Sequence, residues 1–556
     1  MSSAAPSLKF RRPDFWSWTT LAAFLAFGLF LVYPLVTLIV WGFQDAETGA
    51  WTLDNFTKFF GRDYYRNALV NSMVVTLVVT FWTVIIAVPM AYFVTRFTVK
   101  FQRTIDVLII ISLLSPPFIG AYAWILLFGR AGIVTRFLSD TVGFEMPSIY
   151  GFNGIAMVFV LKLFPYLYLY ACGALRKMDA SIGEASESLG ATAWATATKV
   201  ILPVIVPTIL AGSVIVFMRA IADYGTPQLI GEGYTVLPVL IYNEFIGETG
   251  GSSNFAAAIS IILMAIAGLV FWVQNWLGNR RKFLMSALNP MKRRQLTGPK
   301  NWAVHAFLYL VVFVATLPQL TVVYTSFLKT RGVIFVPGFS LDSYRQVLDG
   351  MLTPIINTFV FGLMAIIIIV VVGVLVAYVS VRRANILTRV LDLFIMFPYV
   401  IPGAVLGITM LLTFNSPPLM LAGTVAILVI MYVVRRIPYT VRSSAAILHQ
   451  INPNIEEAAV SLGASPMKAF WKVTLPAMMP GVLSGAILSW VTVINELSST
   501  LILYTGKTAT MSVAIFTEVM RASYGTAAAL STILTVTTVL SLLLFFKLSD
   551  SDDINV

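Results

Sequence analysis

The chain alternates long apolar runs with short polar connectors, and each run is about as long as a bilayer is thick. The runs cover roughly residues 16–41, 66–95, 105–128, 152–173, 204–224 and 256–277, then 303–327, 355–379, 388–412, 420–440, 478–495 and 527–547. A helix needs about 20 apolar residues to cross the hydrocarbon core. Inside that core a single segment satisfies its own backbone only as a helix. The pattern therefore predicts an all-α polytopic membrane protein of about twelve transmembrane helices. The polar opening Met1–Asp14 precedes an apolar run too long for a signal-peptide core, so that run is expected to be an uncleaved first span.

Composition agrees. Hydrophobic residues make up 58% of the chain and charged residues 11%, against about 25% charge in a soluble protein. The net charge of +12 reads as orientation rather than nucleic-acid binding, because lysine and arginine collect in cytoplasmic loops. With both termini inside, most basic residues fall on inner segments, while Lys162 and Arg219 fall within spans. Gly278–Asn301 carries Arg280, Arg281, Lys282, Lys292, Arg293, Arg294 and Lys300 and no acid, as expected of a solvated linker at the inner surface. No basic patch interleaved with aromatics points to nucleic acid. Cys172 is the lone cysteine, so neither an intramolecular disulfide nor a thiolate cluster is available. His305 and His449 have no zinc-type spacing, and no metal site is expected.

The linker divides two repeats, expected at 1–277 and 303–556 with 278–302 between them. Each repeat carries a polar island, at 181–207 and 454–480. Glu184, Ala185, Gly190, Leu202 and Pro203 recur as Glu457, Ala458, Gly463, Leu475 and Pro476, all 273 positions later. Lys199, Pro207 and Gly212 recur as Lys472, Pro480 and Gly485. Upstream, Leu53-Asp54-Asn55-Phe56 is echoed by Leu341-Asp342-Ser343-Tyr344, Asn71-Ser72 by Asn357-Thr358, and Ala91-Tyr92 by Ala377-Tyr378. The change in offset falls on the third loop of each repeat, an outer one, Gly129 to about Gly151 in one repeat and about Asn415–Pro418 in the other; loops tolerate such changes. Six spans per repeat make the repeats parallel, related by a pseudo-two-fold axis along the membrane normal. Both islands then face inward.

The chemistry of an island is mechanical. Asn454, and Ser181 in the first copy, are placed to cap a helix whose early turn carries glutamates. Gly463 and Gly190 suit a left-handed helix end. A second short helix, roughly Pro466–Val473, is expected before Pro476 marks the start of the next span. The bland alternative is an amphipathic connector without a partner, and exact duplication argues against it.

These islands resemble the EAA loops of the membrane subunits of binding-protein-dependent ABC importers: Glu-Ala-Ala, three residues, Gly, nine residues, Ile, one residue, Leu-Pro. The second copy follows it through Glu457, Ala458, Ala459 and Gly463. The first has Ser186 at the third position, and Val200 and Val473 replace the isoleucine. The resemblance implies two copies of a cytoplasmic ABC ATPase, each seated on one island and binding ATP and Mg, and a periplasmic or extracellular substrate-binding protein. It also implies residence in the inner membrane and no cofactor in this chain. Fusion of two repeats, with Ala222-Asp223-Tyr224-Gly225-Thr226-Pro227 after the fifth span, resembles the iron(III)-type group. The counterpart Asn495-Glu496-Leu497-Ser498-Ser499-Thr500 lacks that group's proline near Ser498. Iron(III) leads as substrate, ahead of sugar phosphate, aminophosphonate and polyamine.

Gly506-Lys507-Thr508 lacks the earlier glycine of a phosphate-binding loop, since that position is Leu501. No nucleophile and base are arranged for catalysis, so the chain is not expected to be an enzyme. Lys162, Arg219, Asp223 and Glu496 are candidate pathway residues, because charge inside a membrane is expensive. Arg219 and Asp223 are spaced to pair on one helix face. Structurally they could instead form a clamp, with Lys162 meeting a carbonyl or snorkelling. A twelve-helix secondary transporter is the rival class; it would not need duplicated docking loops.

Overall fold

The computed structural model describes residues 14–114, 117–247, 252–280, 293–331 and 334–548. Helices occupy every apolar run of the sequence. Among the described residues, ten helices are long and apolar enough to cross a membrane, or eleven if the pair Ile386–Val400 and Gly403–Phe414, bent by 113°, counts as one span. The expected twelve are reduced for two reasons. The ninth run is broken where Ile401-Pro402 meets Gly403, since a residue before proline avoids the helical region. The tenth is the helix Val425–Gln450, which begins later than expected and carries Arg435, Arg436 and Arg442. In the first repeat the expected third span is likewise covered by two helices, Gln102–Leu114 and Pro117–Phe128.

The spans are rich in β-branched residues that would fray a helix in water. In a bilayer the backbone has no other partner, so propensity yields. On Leu352–Arg382 the exposed residues Ile356, Val360, Leu363, Ile367 and Val371 form a helical stripe, the face such a helix turns to lipid. Hydroxyls within spans bond back to the preceding turn, as Thr409 Oγ1 does to Val405 O and Thr413 Oγ1 to Thr409 O.

Two compact units pack separately, and they are not the sequence repeats. One comprises Met1–Val36, Phe361–Tyr399 and Val429–Val493; the other comprises Thr37–Val360, Val400–Leu428 and Ile494–Val556. In the first unit the opening helix Phe15–Phe27, capped by Asp14, which accepts from Ser17 N at 2.9 Å, joins helices of the second repeat. Trp16 lies 4.2 Å from Tyr378 and 4.9 Å from Phe470, ring centre to ring centre, and Phe24 lies 5.5 Å from Phe394. In the second unit the reverse holds. Pro299–Ser326, the first span of the second repeat, packs on first-repeat helices; Tyr309 OH donates to Lys100 O at 2.9 Å.

Elements not foreseen in the sequence include the hairpin Leu328–Arg331 with Ile334–Phe339. Each fifth span is also followed by a short turn of helix and then a ten-residue apolar helix: Gly225–Ile230 and Leu237–Ile246 in one repeat, Thr500–Leu503 and Met511–Met520 in the other.

Candidate functional site

Each polar island folds as a short surface helix, a tight reversal and a long helix that runs into the membrane span. The first is Ala180–Ser188, the second Asn454–Ser461. The caps sit two residues earlier than expected. Asp179 Oδ1 accepts from Ser181 N at 2.9 Å, and Asn452 Oδ1 accepts from Asn454 N at 3.0 Å. Ser181 and Asn454 are thus the capped residues rather than the caps, because an Asx side chain reaches the amide two positions on.

The glycines behave as the pattern requires. Gly190 has φ +85° and Gly463 φ +93°. After each, an amide returns to the helix: Ala191 N donates to Ser186 O and Ala464 N to Ala459 O, both at 3.1 Å. That is the six-to-one closure of a helix ended by a left-handed residue. Thr192 and Ser465, again 273 apart, cap the next helix by accepting from Ala195 N at 3.2 Å and Lys468 N at 3.3 Å.

The expected break before Leu-Pro is absent. Ala193–Ala222 and Pro466–Ile494 are each continuous, with π-helical segments at Thr196–Ile201 and Phe470–Thr474. Proline clashes with the carbonyl four residues back. For Pro203 and Pro476 that carbonyl belongs to Lys199 and Lys472, inside the widened turn, so the helix continues. Leu202 and Leu475 are half-buried at its edge. Glu184, Ala185, Glu457 and Ala458 are exposed. So are Leu189 and Leu462, both 89% exposed and 273 apart. Each is the C-cap residue of its surface helix, held out at the same register of the two islands.

The side chains that hold the two helices differ. In the first copy Glu187 accepts from Arg294 Nη1 at 2.8 Å and from Arg96 Nη2 at 3.2 Å. The Arg294 hydrogen bonds hold the Glu187 carboxyl below its ordinary range. Ser186, the departure from the family pattern, meets Thr196 hydroxyl to hydroxyl at 3.0 Å. In the second copy Val460 and Ala459 stand in those places. There Glu456 accepts from Thr474 Oγ1 at 3.0 Å and from the Tyr378 hydroxyl, and Arg382 donates to Ile451 O at 2.8 Å.

The candidate pathway residues lie on two sorts of structural duty. Lys162 is buried and donates to Ser112 O at 3.1 Å and Leu113 O at 3.2 Å, the last-turn carbonyls of Gln102–Leu114. The carbonyl-bound alternative for this lysine is the geometry seen. Arg219 lies over the Tyr166 ring at 4.3 Å. Its four-residue spacing from Asp223 ends with the helix, because Asp223 is extended at φ −78°, ψ 127°. Asp223 instead accepts from Thr226 N at 2.8 Å, and Glu496 accepts from Ser499 N at 3.2 Å. Each acid therefore starts the turn that follows its span. These two turns approach within one unit: a Cβ at Gly225 would stand 3.1 Å from Leu497 Cδ2.

Two features escaped sequence reasoning. Asn71 donates to Thr235 O at 3.0 Å and Ser72 Oγ accepts from Leu237 N at 2.7 Å. Asn357 donates to Lys507 O and Ala509 O, both at 2.9 Å, and Thr358 Oγ1 accepts from Met511 N at 2.8 Å. The repeated Asn-Ser/Thr pair thus clamps the start of each ten-residue apolar helix. Gly506-Lys507-Thr508 belongs to the loop before the second of these, closed by Thr505 N donating to Thr508 Oγ1 at 2.8 Å. Arg435 and Arg436 lie mid-helix in Val425–Gln450, inside a run counted as a span; the signal was available, since Arg435 follows Lys162 by 273. Residues 281–292 of the basic linker lie outside the described residues, but Arg294 does not. Among the described residues no group of three or more His, Cys, Asp or Glu could hold a metal.

Comparison with known proteins matches this architecture. The ferric transport system permease protein FbpB of Actinobacillus pleuropneumoniae is 29% identical over 535 residues, 95% of this chain and 77% of that protein. The putative ferric transport system permease protein FbpB 1 of Haemophilus influenzae is 28% identical over 497 residues, 88% of this chain and 78% of that protein. A second protein of that organism, the Fe(3+)-transport system permease protein FbpB 2, is 23% identical over 522 residues, 93% of this chain and 95% of that protein. One family description fits the chain twice, at residues 83–283 and 369–551, each match holding one island. The chain belongs to the family of binding-protein-dependent transport system inner membrane components, as a fused two-repeat permease.

Proposed function

We propose that this permease carries iron(III), handed over by a substrate-binding protein at the outer face. Two copies of one ATPase, encoded as a separate chain, dock on Ala180–Ser188 and Asn454–Ser461 at the cytoplasmic face, where both termini also lie. The observation that carries the docking reading is the identity of the two island backbones. Caps, left-handed glycine and protruding leucine recur at one offset, as two copies of one partner require. Iron(III) is supported by the relatives that cover most of the chain. Asp223 and Glu496, equivalent across the repeats and placed after the fifth spans, are the acids assigned to the outer end of the route. Lys162 and Arg219 support the surrounding helices.

Two measurements test this. Mass determination of the purified complex should give two ATPase subunits per permease chain; a ratio of one sinks the docking reading. Proteoliposomes with the partner binding protein should take up iron(III) at the expense of ATP. Uptake of a phosphorylated sugar, an aminophosphonate or a polyamine in its place would overturn the substrate assignment and leave the permease function standing.

A further inference from the structure

The segment that joins the repeats is part of the first docking point. Residues 96–98 close the second span of repeat one and pair with the joining segment through backbone bonds. Arg294 N donates to Arg96 O at 2.9 Å and Thr98 N donates to Arg294 O at 3.0 Å. This pairing fixes where the Arg294 side chain starts. Its guanidinium then grips both carboxylate oxygens of Glu187, on the first docking helix. Arg96, whose side chain is buried, reaches the same carboxylate. Two-pronged arginine–carboxylate contacts fix direction as well as distance. The same stretch is tied to the span that comes next, through Lys100 N donating to His305 Nε2 at 3.1 Å.

We propose that Arg294 is a positioning residue that locks the first docking helix to the inter-repeat connection, so that this helix answers to movement of the connection and the second does not. The second docking helix has Val460 where the first has Glu187, and it is held from within its own repeat by Tyr378 and Thr474. The functional half of the inference rests on the docking reading above; the structural half does not.

The test uses the full-length permease in nanodiscs, without ATPase, and follows amide hydrogen exchange by mass spectrometry. Arg294→Ala should speed exchange in residues 181–190 roughly five-fold, equivalent to about 1 kcal/mol, and leave 454–463 unchanged. Arg294→Lys should recover part of the protection, since it keeps the charge and loses the fork. Unchanged exchange at 181–190, or equal loosening of both helices, overturns the lock. If Arg294→Ala does not accumulate, Glu187→Gln is read in the same way. With ATPase and binding protein restored, Arg294→Ala should keep both ATPase subunits bound and lose several-fold of the hydrolysis stimulated by loaded binding protein. Full stimulation with a loosened first helix overturns the coupling role while the docking reading survives; loss of one bound ATPase shows that docking itself, rather than its alignment, depends on Arg294, and also overturns it.

Discussion

The two polar loops proposed to dock the ATPase have the same backbone and different fastenings. Caps at Asp179 and Asn452, left-handed turns at Gly190 and Gly463, and second caps at Thr192 and Ser465 coincide at one offset. Their carboxylate anchors differ: Arg96 and Arg294 hold Glu187 in one, and Tyr378 and Thr474 hold Glu456 in the other, where Arg382, the repeat equivalent of Arg96, meets Ile451 O instead. A partner that reads shape constrains the backbone and the outward side chains. It leaves the inward side chains free to solve the holding problem in any way that works. Fusion offered the first copy a solution unavailable to the second, a guanidinium from the joining segment.

The same contrast recurs beneath the loops, and there the largest effect is expected. Gly212 and Gly485 let the fifth span of each repeat cross the fourth closely. A Cβ at Gly485 would stand 2.5 Å from Thr440 Cα and 3.0 Å from Tyr439 O, which are backbone. At Gly212 the nearest atom is Leu167 Cδ1, 2.6 Å away and the tip of a flexible side chain. Gly485→Ala should therefore destabilise by about 2–3 kcal/mol and Gly212→Ala by about 1 kcal/mol or less. Thermal unfolding in detergent distinguishes them; equal losses would mean that the crossings relax alike.

Next come the clamps on the ten-residue helices. Asn357 makes two hydrogen bonds and Asn71 one. At about 1 kcal/mol for each lost bond, Asn357→Ala should cost roughly twice as much as Asn71→Ala. Limited proteolysis of the loops at 231–236 and 504–510 reads this directly, with the loop at 504–510 cut faster in Asn357→Ala.

The loops themselves should respond symmetrically. Nothing stands within 4 Å of a Cβ at Gly190 or Gly463, so only the positive φ opposes a side chain. Gly190→Val and Gly463→Val should each cost about 1–2 kcal/mol locally and lower uptake at normal membrane insertion. Tyr378→Phe removes one anchor from the second copy alone, at about 1 kcal/mol. It should loosen 454–463 in hydrogen exchange and leave 181–190 as in wild type.

How far the sequence foretold this follows the same division. Gly190 and Gly463 were legible because positive φ selects glycine whatever surrounds it. The caps were misplaced by two residues because Asp179 and Ser181, or Asn452 and Asn454, are equally able acceptors, and only geometry chooses between them. Leu-Pro read as a helix break because the π-helical turn that accommodates proline has no residue signature of its own. The exchange of first spans between packing units left no mark in hydropathy, which records burial and not neighbours. Asn71-Ser72 and Asn357-Thr358 were visible as an echo, yet their duty was not, since their partners lie 150 to 165 positions away.

The two acids come last, and they are the most informative about transport. The four-residue spacing suggests that loss of the Asp223 charge would strand Arg219 and harm folding, while Glu496 would be spared. The geometry removes that asymmetry. Arg219 rests on Tyr166, and each acid accepts a backbone amide three residues on. Asp223→Asn and Glu496→Gln both retain an oxygen for that bond, so both should insert well enough to be compared in reconstituted membranes. A deficit in iron(III) uptake or stimulated ATP hydrolysis at normal insertion then belongs to the missing charge. If both variants transport at the wild-type rate, the acids serve only as caps for their turns, and the route must be sought along other side chains. If one fails and the other does not, the repeats diverge at the pathway as they do in the fastening of their docking helices.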